Sequence, residues 1–230
     1  MRAALFCAAM IAASVLPSNA DPVTLVIDPG SPYTTTALTG FATFGDQMAG
    51  MVITATLPGA STNAATWAVV SSGCGAALGT GWSISQCGDT FETEWTLTST
   101  TPVSALFFDA GPGRAVFDLS TGDFAVTEGS ARGLTFDTSF PTPITATYSG
   151  PVGLNGSLPA GDLFRFLRLD FTATPFLGTM NFVQDADSLT GDLTPDPVPE
   201  PGSWILLTSG LALSAFRRAR SRLSARVRLF

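Results

Sequence analysis

Between residues 21 and 193 the apolar positions recur at every second residue in short bursts, with no sustained 3.6-residue period. Such bursts at 23–27, 51–57, 65–70 and 91–98 predict strands. In the last of these, Phe91, Thr93, Trp95 and Leu97 fall on one side. Glu92, Glu94, Thr96 and Thr98 fall on the other, as in a half-buried strand with a solvated face. The runs 103–109 and 114–119 flank Ala110-Gly111-Pro112-Gly113 and predict a hairpin. Further strands are predicted at 124–128, 145–148, 163–173 and 178–184. Asn155-Gly156-Ser157 matches a glycosylation sequon, but Asn-Gly between apolar runs favours a tight turn. About ten strands with regular turn signals and no fixed repeat predict an antiparallel two-sheet β-sandwich, a jelly roll being one form of it. The composition fits: 30 threonines and 23 glycines among 230 residues suit strands and turns.

Both ends break this pattern. At the start, Arg2 precedes an apolar stretch over 3–15, Pro17 interrupts it, and Ser18-Asn19-Ala20 places small residues before Asp21. This is the layout of a secretory signal peptide over 1–20, so the folded body is expected to begin at residue 21. Export changes how the cysteines read. Cys7 leaves with the leader, and Cys74 and Cys87 remain as an even pair in an oxidising compartment. The 75–86 stretch between them is rich in glycine. A disulfide closing it is expected to stabilise by about 3 kcal/mol. The spacing is not Cys-x-x-Cys, and no histidine completes a zinc site.

The chain has no histidine, and all 11 of its basic residues are arginine. Ser-His-Asp and Cys-His catalysis, Schiff-base lysine and the P-loop lysine are therefore excluded. Residues 21–199 hold 17 of the 18 acids but only Arg114, Arg132, Arg165 and Arg168. So acidic a body lacks the basic face that nucleic acid requires. Residues 217–230 hold six arginines and no acid.

The C-terminal end explains that basic tail. Residues 194–201 read Thr-Pro-Asp-Pro-Val-Pro-Glu-Pro, an extended linker that neither helix nor central strand can use. The uncharged run 202–216 follows, opened by Trp204 near its start and closed by Arg217, Arg218, Arg220 and Arg222. As a helix, 15 residues reach about 22 Å, against roughly 30 Å of hydrocarbon, so the span relies on interfacial tryptophan and snorkelling arginine. The arginines orient the tail 217–230 to the cytoplasm and the acidic body outside. The ordered set Val198-Pro199-Glu200-Pro201, apolar segment, then Phe216-Arg217-Arg218-Ala219-Arg220 resembles a PEP-CTERM protein-sorting signal. Two features depart from it: residues 221–230 run on past the arginines, and Thr208, Ser209 and Ser214 make the segment more polar. The resemblance implies a Gram-negative bacterial protein, held transiently in the inner membrane and processed near Pro199-Glu200-Pro201 by an exosortase. It also implies a cell-surface or extracellular destination linked to exopolysaccharide and biofilm.

Candidate chemistry in the body is sparse. Glu92 and Glu94, about 7 Å apart on one strand face, have a separation conceivable for a glycosidase pair, but acids on a solvated face chiefly solubilise. Asp185, Asp187 and Asp192 lie in the run 184–192, whose alternating aspartates with a glycine resemble a calcium loop. The pattern lacks the glycine and glutamate of an EF-hand, and an acidic turn leading into the linker is the plainer reading. No other cofactor is expected. Arg165 and Arg168 are expected to pair with Asp162 and Asp170. The sequence thus reads as a non-catalytic exported surface or matrix protein. A carbohydrate-binding module using Trp67, Trp82 or Trp95 is the alternative, with Trp95 reading as core. A hydrolase using carboxylates alone comes third.

Overall fold

A computed structural model describes residues 23–119 and 133–196. Outside these lie the predicted signal peptide 1–20, the strand predicted at 124–128, and the sorting motif Val198-Pro199-Glu200-Pro201. The apolar segment 202–216 and the basic tail with Arg217, Arg218, Arg220 and Arg222 lie outside them too. No helix among the described residues is long and apolar enough to cross a membrane, which says nothing of strands. The chain divides into two units, the first ending at Thr194 and the second beginning at Pro195. Of the second unit only Pro195 and Asp196 are described, and Thr194–Pro195 is extended and exposed.

The described body is all-β and forms two sheets. The second, smaller sheet is antiparallel throughout, in the order Phe176–Phe182 (β14), Trp95–Val103 (β9), Trp82–Cys87 (β8), Cys74–Gly79 (β7), Ala68–Ser71 (β6). The first sheet runs Tyr33–Thr35 (β2), Ile144–Leu154 (β12), Leu163–Phe171 (β13), Ala105–Asp109 (β10), Val52–Thr56 (β4), Thr62–Thr66 (β5). It is not purely antiparallel: Val23–Asp28 (β1) and β2 both lie parallel to β12, one after the other along its edge. A branch of this sheet holds Ala115–Asp118 (β11), Asp185–Leu189 (β15) and Leu38–Gly40 (β3).

The core lies where the sheets face each other. Alternation supplies it: Ile53 and Ala55 from β4, Leu106 and Phe108 from β10, and Tyr148 from β12 meet Trp95 and Leu97 of β9 and Phe182 of β14. Trp95 stacks on Phe182 and meets Phe108 edge-on, which ties the two sheets together.

Several elements differ from expectation, each for a local reason. The single strand predicted at 65–70 is two, because the chain changes sheets at Trp67. Its backbone N–H donates to the Met51 carbonyl, and its buried ring fills the corner. The strand predicted at 91–98 begins only at Trp95. Ahead of it, Asp89 holds a turn by accepting from the Phe91 N–H and the Thr93 hydroxyl, so Glu92 and Glu94 are exposed on that turn and share no strand face. The hairpin predicted over 103–119 does not form. β10 and β11 pair one after the other with the same strand, Asp109 opposite Phe166 and Phe117 opposite Phe164. The intervening 3₁₀ turn Gly111–Gly113 ends at a left-handed Arg114 (φ 51°) and shifts the outer neighbour from β4 to β15.

The disulfide between Cys74 and Cys87 is present, and it staples a hairpin. β7 and β8 pair from Cys74 opposite Cys87 to Gly79 opposite Trp82, two strands hidden in the sequence by their glycines and serines. Gly75 is there for space. A Cβ would sit 2.0 Å from the Trp67 indole nitrogen, which donates to the Gly45 carbonyl across it. The Asn155-Gly156 turn forms as expected: both residues have positive φ, and the Ser157 N–H closes it onto the Leu154 carbonyl.

Candidate functional site

The chemistry of the body gathers on β11 and β15. Phe117 and Ala186 point into the main core. By alternation their neighbours point to the other side of the sheet. There Val116 and Leu189 join Val152, Leu154 and Leu163 in a second, smaller apolar cluster. Asp118, Asp185 and Asp187 emerge on that same side. Asp118 stands directly opposite Asp185 in the strand register, and Asp187 follows two residues along. One carboxylate oxygen from each lies within 4.8 Å of the other two. All three are buried, at 1%, 1% and 0% exposure, and Asp162 is buried as well.

Charge is costly here. Burial raises the Asp185 carboxyl to about 7, although the Thr90 hydroxyl (2.8 Å) and the Ala186 N–H (2.8 Å) both donate to its Oδ1. Burial, and then the neighbouring Asp185 charge, raises Asp187 to about 8; Asp118 against it works the other way. Among the described residues Asp185 Oδ2 has no donor, and Asp118 is the one group that bonds the carboxylate of Asp187. Buried polar atoms are rarely left so. The packing is close on the far side too: a Cβ on Gly133 would lie 2.7 Å from Asp118 Oδ1.

This is not the site the sequence suggested. Asp185 and Asp187 belong to a buried strand, not an acidic turn or a calcium loop. Asp192 does not join them; it is exposed and pairs with Arg114 at 2.8 Å. Asp118, which does join them, lies 67 positions upstream of Asp185 and reaches it only through the strand pairing. The signal that could have found it is a matching alternation in Ala-Val-Phe-Asp and Asp-Ala-Asp-Ser-Leu.

The other candidates are also relocated. Arg165 pairs with Asp109, not Asp162, through two bonds of 2.7 and 2.8 Å, and stacks over Tyr33. Arg168 pairs with Asp170 as expected. Trp67, Trp82 and Trp95 are all buried, and their indole N–H groups donate to the Gly45 carbonyl, Asn63 Oδ1 and the Gln184 carbonyl. None offers a ring face to a sugar. A surface groove of about 490 Å³ does carry an exposed ring, Phe44, beside Asp46, Gln47 and Ser72 near the disulfide.

The chain matches no protein-family model, no curated protein and no solved structure.

Proposed function

We propose that this chain is a non-catalytic exported protein, delivered to the cell surface or extracellular matrix by a C-terminal sorting signal that an exosortase processes. One observation carries the reading. A proline-stiffened Val198-Pro199-Glu200-Pro201, an uncharged segment and an arginine cluster follow one another in order, at the far end of a chain that opens with a secretory leader. In this reading the inner membrane holds the chain only until cleavage, and the body is released or displayed among exopolysaccharide.

The body is suited to that setting. Its disulfide fits an oxidising compartment. Its acids that resist ionisation are sealed inside the sheet, where no substrate reaches them, and Glu92 and Glu94 lie on an exposed turn. That arrangement favours adhesion or display over hydrolysis. Sugar binding is the second reading, and the groove beside Phe44, which combines an apolar ring with an acid and an amide, is where it would reside.

Mass spectrometry of the mature protein from the native cell tests the main reading. The expected chain starts at Asp21 and has lost everything beyond the Pro-Glu-Pro region. A mature chain that ends at Phe230 overturns it.

A further inference from the structure

We propose that Asp118, Asp185 and Asp187 hold one calcium ion. The argument begins with the donor set. All three ligands are carboxylates, and three carboxylates supply up to six oxygens. The protein has no histidine, and the two described cysteines are locked in a disulfide, so soft and borderline metals have no ligands here. One oxygen from each carboxylate lies within 4.8 Å of the other two, so the three converge on one small volume, and a modest inward turn of the side chains brings them to calcium–oxygen distance. Magnesium dehydrates reluctantly and keeps several of its waters, which disfavours it among three carboxylates that are 0–1% exposed.

Clustering alone would not suffice, since acids on a surface gather without any ion. Asp187 supplies the second observation. It is 0% exposed, it points into the cluster, and among the described residues no group besides Asp118 meets either of its oxygens. Asp185 Oδ2 is in the same position, because its Oδ1 already takes both local donors. A proton shared between Asp118 and Asp187 covers that contact and leaves Asp185 Oδ2 bare. One cation between the three strand positions serves all of them together, and offsets the desolvation of the charges.

The backbone holds this geometry rigidly. Asp118 and Asp185 are direct partners in an antiparallel ladder, and Asp187 is one pleat further on the same strand. Side chains on such a scaffold are placed before any ion arrives. Because the site is closed, the ion is captured as the sheet forms and leaves slowly. Its role is to complete the fold in a calcium-containing exterior, not to signal. The site stands on the body alone and holds whether or not the chain's ends are processed.

The test uses the full chain in detergent, disulfide intact. It is unfolded with chelator, then refolded into about 1 mM calcium or into chelator. The expected result is one calcium per chain after gel filtration, measured by elemental mass spectrometry. With it comes a Tm about 5 °C higher than in chelator. Magnesium at the same concentration is expected to leave Tm unmoved, and Asp187→Asn is expected to fold, retain no ion and show the same Tm in both buffers. A wild-type chain that retains no calcium and melts identically in both buffers overturns the site, and an equal shift from magnesium overturns the choice of ion. If Asp187→Asn does not fold, the ion count on the wild-type chain decides alone.

Discussion

Tyr148 and Asp187 are both fully buried polar side chains of the same sheet, one facing the main core and one facing away from it. The Tyr148 hydroxyl is matched on both sides: it accepts from the Phe136 N–H at 2.6 Å and donates to Gln184 Oε1. Gln184 is matched in turn, its amide donating to the Leu134 and Asp185 carbonyls at 3.1 and 2.7 Å. Among the described residues, the side chains that act on Asp187 are all acids: Asp118, Asp185, Asp89 and Asp162. Neutral groups that both donate and accept can close a network with the backbone alone. A charged carboxylate only accepts, so where donors run short, as at Asp185 Oδ2 and Asp187, it takes up a proton or a cation.

The largest effect that follows is on pH, in chelator. Asp185 and Asp187 have an ordinary value of 3.8 and are raised to about 7 and about 8 in the folded chain. The folded state therefore keeps protons that the unfolded state has released. Stability on this account is fully present below about pH 4 and is lost as pH rises through 7 to 8. Urea unfolding at pH 5 and pH 8 is expected to show a fall of roughly 2 kcal/mol or more. Tyr148 contributes nothing in that range, because burial pushes its hydroxyl far above it. A flat profile in chelator would show that the acid side of the sheet is as well matched as the tyrosine side, and the comparison would fail.

Next in size is Tyr148→Phe. The ring keeps its place in the core, but the Phe136 N–H and Gln184 Oε1 lose their partner inside a dry environment. The expected loss is about 2 kcal/mol by denaturant unfolding, the cost of two buried groups left without a bond. The substitution should leave the pH profile of the acids unchanged. A loss near zero would mean that water replaces the hydroxyl, and that the network is looser than its hydrogen bonds indicate.

How much of this was legible beforehand depended on whether a residue's environment is local. The period-2 pattern at 95–98 and 51–57 announces strands because the inward side chains are apolar and the outward ones, Val52 apart, are chiefly threonines. Cys74 and Cys87 announced a bridge because an even pair remains once a leader is expected to remove Cys7, whereas the hairpin between them was masked by small residues that any loop would also use. The acid site was hidden for a different reason. Asp-Ala-Asp-Ser-Leu alternates as a strand should, yet aspartate ordinarily marks a solvated turn, and only the long-range pairing with β11 puts both acids inside. Trp67 and Trp82 were misjudged likewise: a tryptophan reads the same at a sheet corner as on a sugar-binding face, and only the Gly45 and Asn63 acceptors distinguish them.

The smallest effect gives the comparison its control. Asp170 is the same residue type as Asp187 and also lies in a strand of the first sheet, but it is half-exposed and bonded twice by Arg168, at 2.7 and 2.8 Å. Arg168→Ala removes its cation entirely. Water then takes over the carboxylate, which is why exposed pairs of this kind contribute little. The expected change is below about 0.5 kcal/mol by urea unfolding. Replacing the Asp170 partner should thus be nearly silent where the chemistry around Asp187 is not, although both residues are aspartates in strands of the first sheet. A loss of 2 kcal/mol or so at Arg168 would place the difference between the two sites in their pairing and not in their solvent, and the case for a cation among the buried three would lose its physical basis.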